Sequence, residues 1–473
     1  MSHALLPSLV RDRRGVAVAL ACAAAAGGGR AAPCQDPFLK GQGGASTAGQ
    51  QPGQGQAPPG GAAAPLATVR GQLQSRYWLR WITNESDQDL YETLSLDLGD
   101  PERHAVTGFL QGRVSIDFDG EAGNQPFASL DDSYDGNPTG HLYYAYADLQ
   151  RIANWSLVRI GRQVIHDTPE LALFDGLRAE TESFGGIEAQ VGVYGGVSTH
   201  LYEASISGDW MTGVYVQARP WRGGRMRLDW MHLEDEALLG LHNNDLWAAG
   251  VWQTVGAFAL EGQYSGLESE SRDVRGRVSF TDAGNDLLLQ GSWYHLLNTQ
   301  NDLVLELDPF FSSTQALFPY QQFSLLASKG LWEQFDVRGG LDIRRVEDAA
   351  DVGTYNHDYE RFFGTVAVRD AFVPGLTLSA TGDWWDSAGE NIETWGADAD
   401  YELGDRTHVS AGSYYALYKF DLQLNTEIDH LRTYFARLHH KHSKTLTLDT
   451  SFELEENDID RYYTLRLGAT WKF

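Results

Sequence analysis

Tyr463-Thr464-Leu465-Arg466-Leu467-Gly468-Ala469-Thr470-Trp471-Lys472-Phe473 alternates from end to end. Tyr463, Leu465, Leu467, Ala469, Trp471 and Phe473 share one face, and Thr464, Arg466, Gly468, Thr470 and Lys472 the other. A period of two is a β-strand with one oily and one wet side. The same split recurs upstream. Leu446, Leu448, Phe452 and Leu454 oppose Thr445, Thr447, Asp449 and Ser451. Leu110, Val114, Ile116 and Phe118 oppose Gln111, Arg113, Ser115 and Asp117, and Phe335, Val337, Leu341 and Ile343 oppose Asp336, Arg338, Asp342 and Arg344. Val274, Val278 and Phe280 oppose Arg275, Arg277 and Ser279.

Strands of a soluble sandwich run about 5–6 residues. These segments run to roughly ten, the length that crosses a bilayer at a tilt. Aromatic residues gather near segment ends, as at Trp78 and Trp81, Trp384 and Trp385, and Trp471 and Phe473, which matches the interfacial girdle of a membrane barrel. The expectation is an all-β fold, a transmembrane antiparallel up-and-down β-barrel.

Candidate strands fall near 73–82, 89–98, 107–119, 141–149, 154–164, 172–181, 185–195, 208–218, 225–234, 244–253 and 257–265. They continue near 271–281, 286–296, 321–331, 335–345, 359–369, 375–385, 390–402, 406–417, 427–438, 444–454 and 461–473. The count is 22 strands, with 18 or 20 as fallbacks. If both termini are periplasmic, short turns follow even strands and longer loops follow odd ones. The longest connections, near 120–140, 196–207, 297–320, 346–358 and 418–426, all follow odd strands.

Upstream of Gly71 the material changes. Arg11, Arg13 and Arg14 precede a short apolar core from Gly15 to Ala26, so residues 1–31 read as an export signal. Residues 32–70 are a Gly/Gln/Pro-rich flexible lead that cannot offset its chain entropy by burial. Residues 71–473 form the barrel. The two cysteines are Cys22, inside the signal, and Cys34, so no internal disulfide is expected after cleavage.

The chain carries 36 Lys+Arg against 64 Asp+Glu, a formal charge of -28. A surface this acidic repels nucleic acid, which excludes that partner class. No apolar run after the amino terminus is long enough for a helical span. The acid excess falls in the expected loops: Asp119, Glu121, Asp131, Asp132 and Asp135; Glu234, Asp235 and Glu236; Glu347, Asp348 and Asp351; and Glu455, Glu456, Asp458 and Asp460. Residues 131–136 begin like a calcium loop, but position twelve is Leu142 rather than Glu, so no such site is assigned. His439, His440 and His442 cluster at a periplasmic turn, where adjacent strand residues point apart.

Charges on the lipid face cost about 2–4 kcal/mol near the midplane, so strand charges are expected to face the lumen. The candidates are Arg113, Arg225, Arg227, Arg275, Arg277, Arg338, Arg344, Arg466 and Lys472, with Asp117, Asp229, Asp336 and Asp342 among them. Such residues either brace the wall as Arg/Asp ladders or form a basic strip for anions. Residues 158–180 add a resemblance. Val158-Arg159-Ile160-Gly161-Arg162-Gln163, followed by Phe174-Asp175-Gly176-Leu177-Arg178, resembles the alginate-export type of outer-membrane porin. The resemblance implies a pore for an anionic polysaccharide or other solute, with Arg159, Arg162 and Arg178 as lumen or constriction residues.

The sequence holds no zinc-protease, haem-attachment, nucleophile-elbow or phosphate-loop motif. No enzyme activity and no cofactor are expected. Three functions remain open: a porin-like channel, the sheath of a porin–cytochrome electron conduit, and an outer-membrane enzyme or adhesin. Outer-membrane lipid, lipopolysaccharide and the barrel assembly machinery are expected partners. A periplasmic export component or a multihaem cytochrome belongs to the first or second function, respectively. Tyr463, Trp471 and Phe473 are expected to form the outward assembly signal of the last strand.

Overall fold

The computed structural model describes residues 68–83, 85–119, 137–166, 169–199, 209–237, 240–298, 318–352, 356–387, 391–418, 430–457 and 460–473. They form one antiparallel sheet of 22 strands. The first eleven are β1 (Val69–Trp81), β2 (Ser86–Leu98), β3 (Val106–Asp117), β4 (Thr139–Ile152), β5 (Trp155–Ile165), β6 (Ala172–Thr181), β7 (Gln190–Ser198), β8 (Trp210–Ala218), β9 (Gly224–Ala237), β10 (Gly240–Val255) and β11 (Phe258–Leu267). The rest are β12 (Glu270–Asp282), β13 (Leu287–Leu296), β14 (Tyr320–Leu331), β15 (Phe335–Val346), β16 (Tyr359–Val368), β17 (Leu376–Asp386), β18 (Ile392–Glu402), β19 (Thr407–Tyr418), β20 (His430–Lys441), β21 (Leu446–Glu456) and β22 (Arg461–Lys472).

Every strand pairs with its sequence neighbours, and β1 also pairs with β22 in register from Gln72↔Lys472 to Trp81↔Tyr463. The seam is extended by Gly71 N–H donating to Phe473 O at 2.8 Å and Phe473 N–H donating to Gly71 O at 2.9 Å. Closure satisfies the backbone of both edges, the condition for a sheet in hydrocarbon. Ile160, Leu177, Leu228, Val251, Leu260, Val278, Phe323, Phe362, Val366 and Leu467 are large, apolar and exposed on the outer face. Such a closed, outwardly apolar barrel is an outer-membrane barrel of the Gram-negative type.

Strand number and order agree with the sequence pattern, and several ends differ. β1 begins at Val69, so Val69 and Arg70 belong to the barrel rather than the lead. β7 runs Gln190–Ser198 instead of 185–195, because Gly185 adopts φ +70 in a turn closed by the Phe184↔Ala189 bridge. β9 reaches Ala237 and β21 reaches Glu456, which takes Glu234, Asp235, Glu236, Glu455 and Glu456 out of loops and into the ladder. The expected signal segment, most of the lead, the residues 131–136 loop, Glu121 and Asp458 lie outside the described residues.

Candidate functional site

The register fixes which strand residues face the lumen. Asp148↔Arg159, Arg178↔Tyr194, Tyr215↔Asp229, Gln263↔Arg275 and Glu261↔Arg277 are cross-strand neighbours on the inner side. So are Ser328↔Arg338, Gln322↔Arg344, Thr93↔Arg113 and Trp78↔Arg466. Arg225 and Arg227 follow by alternation from Asp229, and Lys472 follows from Arg466. Ten of the eleven arginines expected in the pore therefore share its wall. Arg76, Arg80, Arg361 and Arg437 join them. Alternation from Trp78, read from the sequence as a girdle residue, would put Arg76 and Arg80 on the lipid side; the register Trp78↔Arg466 turns all three inward. Arg361 and Arg437 follow from Asp342↔Arg361 and from the inward Phe435.

The wall is braced by short ion pairs. Arg159 grips Asp148 through Nε–Oδ1 at 2.7 Å and Nη2–Oδ2 at 2.9 Å. Arg361 grips Asp383 (Nε–Oδ1 2.9 Å, Nη2–Oδ2 2.6 Å) and lies 3.5 Å from Asp342. Arg227 and Asp229 are both buried, 2.8 Å apart. These pairs are the rigid ladder. Arg80, Arg159, Arg178, Arg275, Arg437 and Arg466 are each more exposed than the carboxylate they hold. Arg275 is the extreme case: its side chain is 48% exposed, whereas Asp273 is fully buried at 0%. Water in the lumen thus meets cations whose counter-charges are sunk into the wall.

Aromatic rings hold several guanidinium groups in place. Arg344 lies 3.7 Å over Tyr320 and donates from Nη2 to Asn356 Oδ1 at 2.7 Å. Tyr320 packs 5.4 Å from Tyr294, which carries Arg275 at 5.3 Å. Arg225 sits 3.9 Å over Trp252, Arg227 3.9 Å over Tyr215, and Arg159 3.6 Å over Tyr146. A ring face attracts the cation without neutralising it, so orientation is fixed while the positive potential remains.

One feature of the lumen has no signal in the period-two pattern. The tip of the β5–β6 hairpin reaches across the inner face. Ile165, Ala172 and Phe174 pack with Tyr194, Met211, Met231 and Leu246, and Leu267 lies against them. Glu170 accepts from Arg272 Nη2 at 2.6 Å, linking this tip to β12. The contact brings Pro169 and Glu170 to Arg272, three residues from Arg275. Strand alternation cannot show it, because the contacts join residues about a hundred positions apart.

Arg162 corrects the expectation that it lines the pore. Arg159 and Gln163 face inward, so Arg162 lies with Ile160 on the outer face. There it forms a two-pronged pair with Asp175, Nε–Oδ1 2.8 Å and Nη2–Oδ2 2.7 Å, and donates to Leu142 O at 2.9 Å. Arg162 is 24% and Asp175 47% exposed. Reading every strand charge as lumenal fails here because a bidentate pair neutralises itself and spends its donors locally.

Other polar groups sort by face. Asp87, Asp89 and Asp117 place carboxylate oxygens within 4.8 Å of one another, at the end of the lumen opposite Val69 and Phe473. Arg80 Nη2 lies 2.9 Å from Asp89 and also contacts Asp87. Burial, reinforced by a hydrogen bond with Asp117, raises the Asp119 carboxyl above its usual range. At the other end His439 meets Asp449 at 2.6 Å on the inner face, while His440 takes Thr407 Oγ1 at 2.9 Å on the outer. The two adjacent imidazoles point apart, as expected for a strand. Tyr463 stacks on Trp81 at 5.2 Å, and Trp471 packs 4.9 Å from Phe473 on the outer face.

No family model, that of alginate-export porins included, and no curated relative match the chain. Among solved structures the chain is similar to OccK3 (OpdO) of Pseudomonas aeruginosa, at 12% identity and TM-score 0.42 over 86% of this chain and 95% of that one. It is similar to the outer membrane protein opdK from Pseudomonas aeruginosa, at 11% identity and TM-score 0.41 over 86% and 98%. A BenF-like porin from Pseudomonas fluorescens aligns at 10% identity and TM-score 0.46 over 86% and 98%.

Proposed function

We propose that the barrel is a passive outer-membrane channel for a polar, anionic solute. The observation that carries this reading is the asymmetry at Arg80, Arg159, Arg178, Arg275, Arg437 and Arg466, where the carboxylate is the more buried partner and the guanidinium the wetter one. Arg76, Arg225, Arg277, Arg338 and Arg344 add cations for which no ion pair is found among the described residues. An acidic polysaccharide is the solute class suggested by the resemblance of residues 158–180. The outward Tyr463, Trp471 and Phe473 are the proposed assembly signal, lying beside the seam that closes the sheet.

The stretch of wall at Arg275 supplies the test. At an effective dielectric of about 20, one charge acts on an ion roughly 8 Å away with about 2 kcal/mol, reduced by pore water and salt. Arg275→Gln combined with Arg277→Gln is expected to lower the anion/cation permeability ratio by about twofold or more, because even a screened 0.5 kcal/mol per site is felt in a reversal potential. A folded, conducting double variant with the parental ratio would show that these arginines only brace the wall.

A further inference from the structure

Outside the lumen, an arginine on the lipid-facing rim forms no ion pair among the described residues. Phe435 is buried on the inner face and Arg437 follows it by alternation, so Arg432 and Tyr434 point outward near the extracellular end of β20. The Arg432 guanidinium lies 4.7 Å over Trp395 and 5.6 Å over Tyr434, rings that are themselves exposed on the outer face. Glu456 is its cross-strand neighbour in the ladder. That carboxylate is already taken: Arg461 donates to Glu456 Oε1 from Nε at 2.8 Å and from Nη2 at 2.6 Å. No ion pair of Arg432 is found among the described residues. The pattern contrasts with Arg162, which brings its own carboxylate.

Trp384, Trp395, Tyr415 and Tyr434 lie on the outer face of consecutive strands near their extracellular ends. Such a belt marks the boundary between acyl chains and headgroups. An unpaired cation at that depth must find an anion or carry a desolvation penalty. The two rings flank the guanidinium, and no hydrogen bond from it is found among the described residues, which leaves its N–H groups for a ligand. Fork geometry of this kind suits a phosphate oxygen pair. We propose that Arg432, seated on Trp395 and Tyr434, binds a phosphate of the glycolipid in the outer leaflet, making this flank of β18–β22 a specific lipid site. Lipid is the source because the site faces the membrane rather than the lumen, and the flanking ring faces suit sugar and acyl groups.

The test uses the whole barrel folded into phosphatidylcholine vesicles with or without bisphosphorylated lipid A. Lipid A retained per barrel after mild detergent extraction is the primary readout. Arg432→Gln is expected to retain about fivefold less than the parent, the factor one basic residue near an anionic surface contributes. Arg432→Lys, which keeps the charge and loses the fork, should fall between them. Excess inorganic phosphate should leave parental retention unchanged. In vesicles without lipid A, parent and Arg432→Gln should melt alike. Equal retention by heat-modifiable parent and Arg432→Gln barrels would overturn the proposal. So would release of lipid A by inorganic phosphate, or a loss of melting temperature in Arg432→Gln that is the same with and without lipid A.

Discussion

Gly161→Ala is expected to leave little folded barrel in the outer membrane. Gly161 adopts φ +122, and an added Cβ would lie 2.1 Å from Ala145 O and 3.0 Å from Tyr146 Cα. Both are backbone atoms of β4, so relief requires opening the β4–β5 ladder. A forbidden φ alone costs about 1–3 kcal/mol, and the backbone clash adds to it, against a total stability on the order of 5–15 kcal/mol. Gly176 and Gly196 are packed the same way, 2.1 Å from Gly195 O and 2.2 Å from Asp175 O. Heat-modifiable mobility and the urea midpoint are the measurements. Gly276→Ala is the control, because nothing lies within 4 Å of its added Cβ. If Gly161→Ala behaves like the control, the close approach of β4 and β5 is not real.

Asp175→Ala should cost nearly as much by a different route. It leaves the Arg162 guanidinium unpaired on the lipid face beside Ile160 and Leu177. A lone arginine there costs up to about 2–4 kcal/mol at the midplane and less toward the interface, where the end of β5 lies. Replacing both partners, as in Arg162→Leu with Asp175→Leu, removes the charges and the need for pairing together. The double variant is therefore expected to be more stable than Asp175→Ala and close to the parent. A urea midpoint for Asp175→Ala equal to the parental one would place the pair in water rather than lipid.

Much of this architecture was legible in the sequence because each strand is written in the same period of two. The run from Tyr463 to Phe473 shows both faces, and the long connections set the order of ends. The inner position of Arg275 or Arg338 follows from its apolar neighbours. What the pattern hid has a common cause, since alternation reports a face and nothing about partners. It cannot say that Arg162 is balanced by Asp175 across a strand gap, so that a charge is tolerated outside. Nor can it bring Glu170 to Arg272, or bury Asp273 while leaving Arg275 wet. Strand ends shifted for a related reason. Glu234 to Glu236 look like loop residues by charge, yet β9 and β10 continue to pair beyond the apolar run.

The central claim is that the lumenal arginines, six of them held by carboxylates more buried than themselves, favour anions. Single-channel recording of the parent barrel in a planar bilayer, under a salt gradient, tests it most directly. A reversal potential on the anion side, weakening as ionic strength rises and screening shortens the reach of each arginine, is the expected result. A cation-selective reversal potential, or a folded barrel that passes no current, would contradict it.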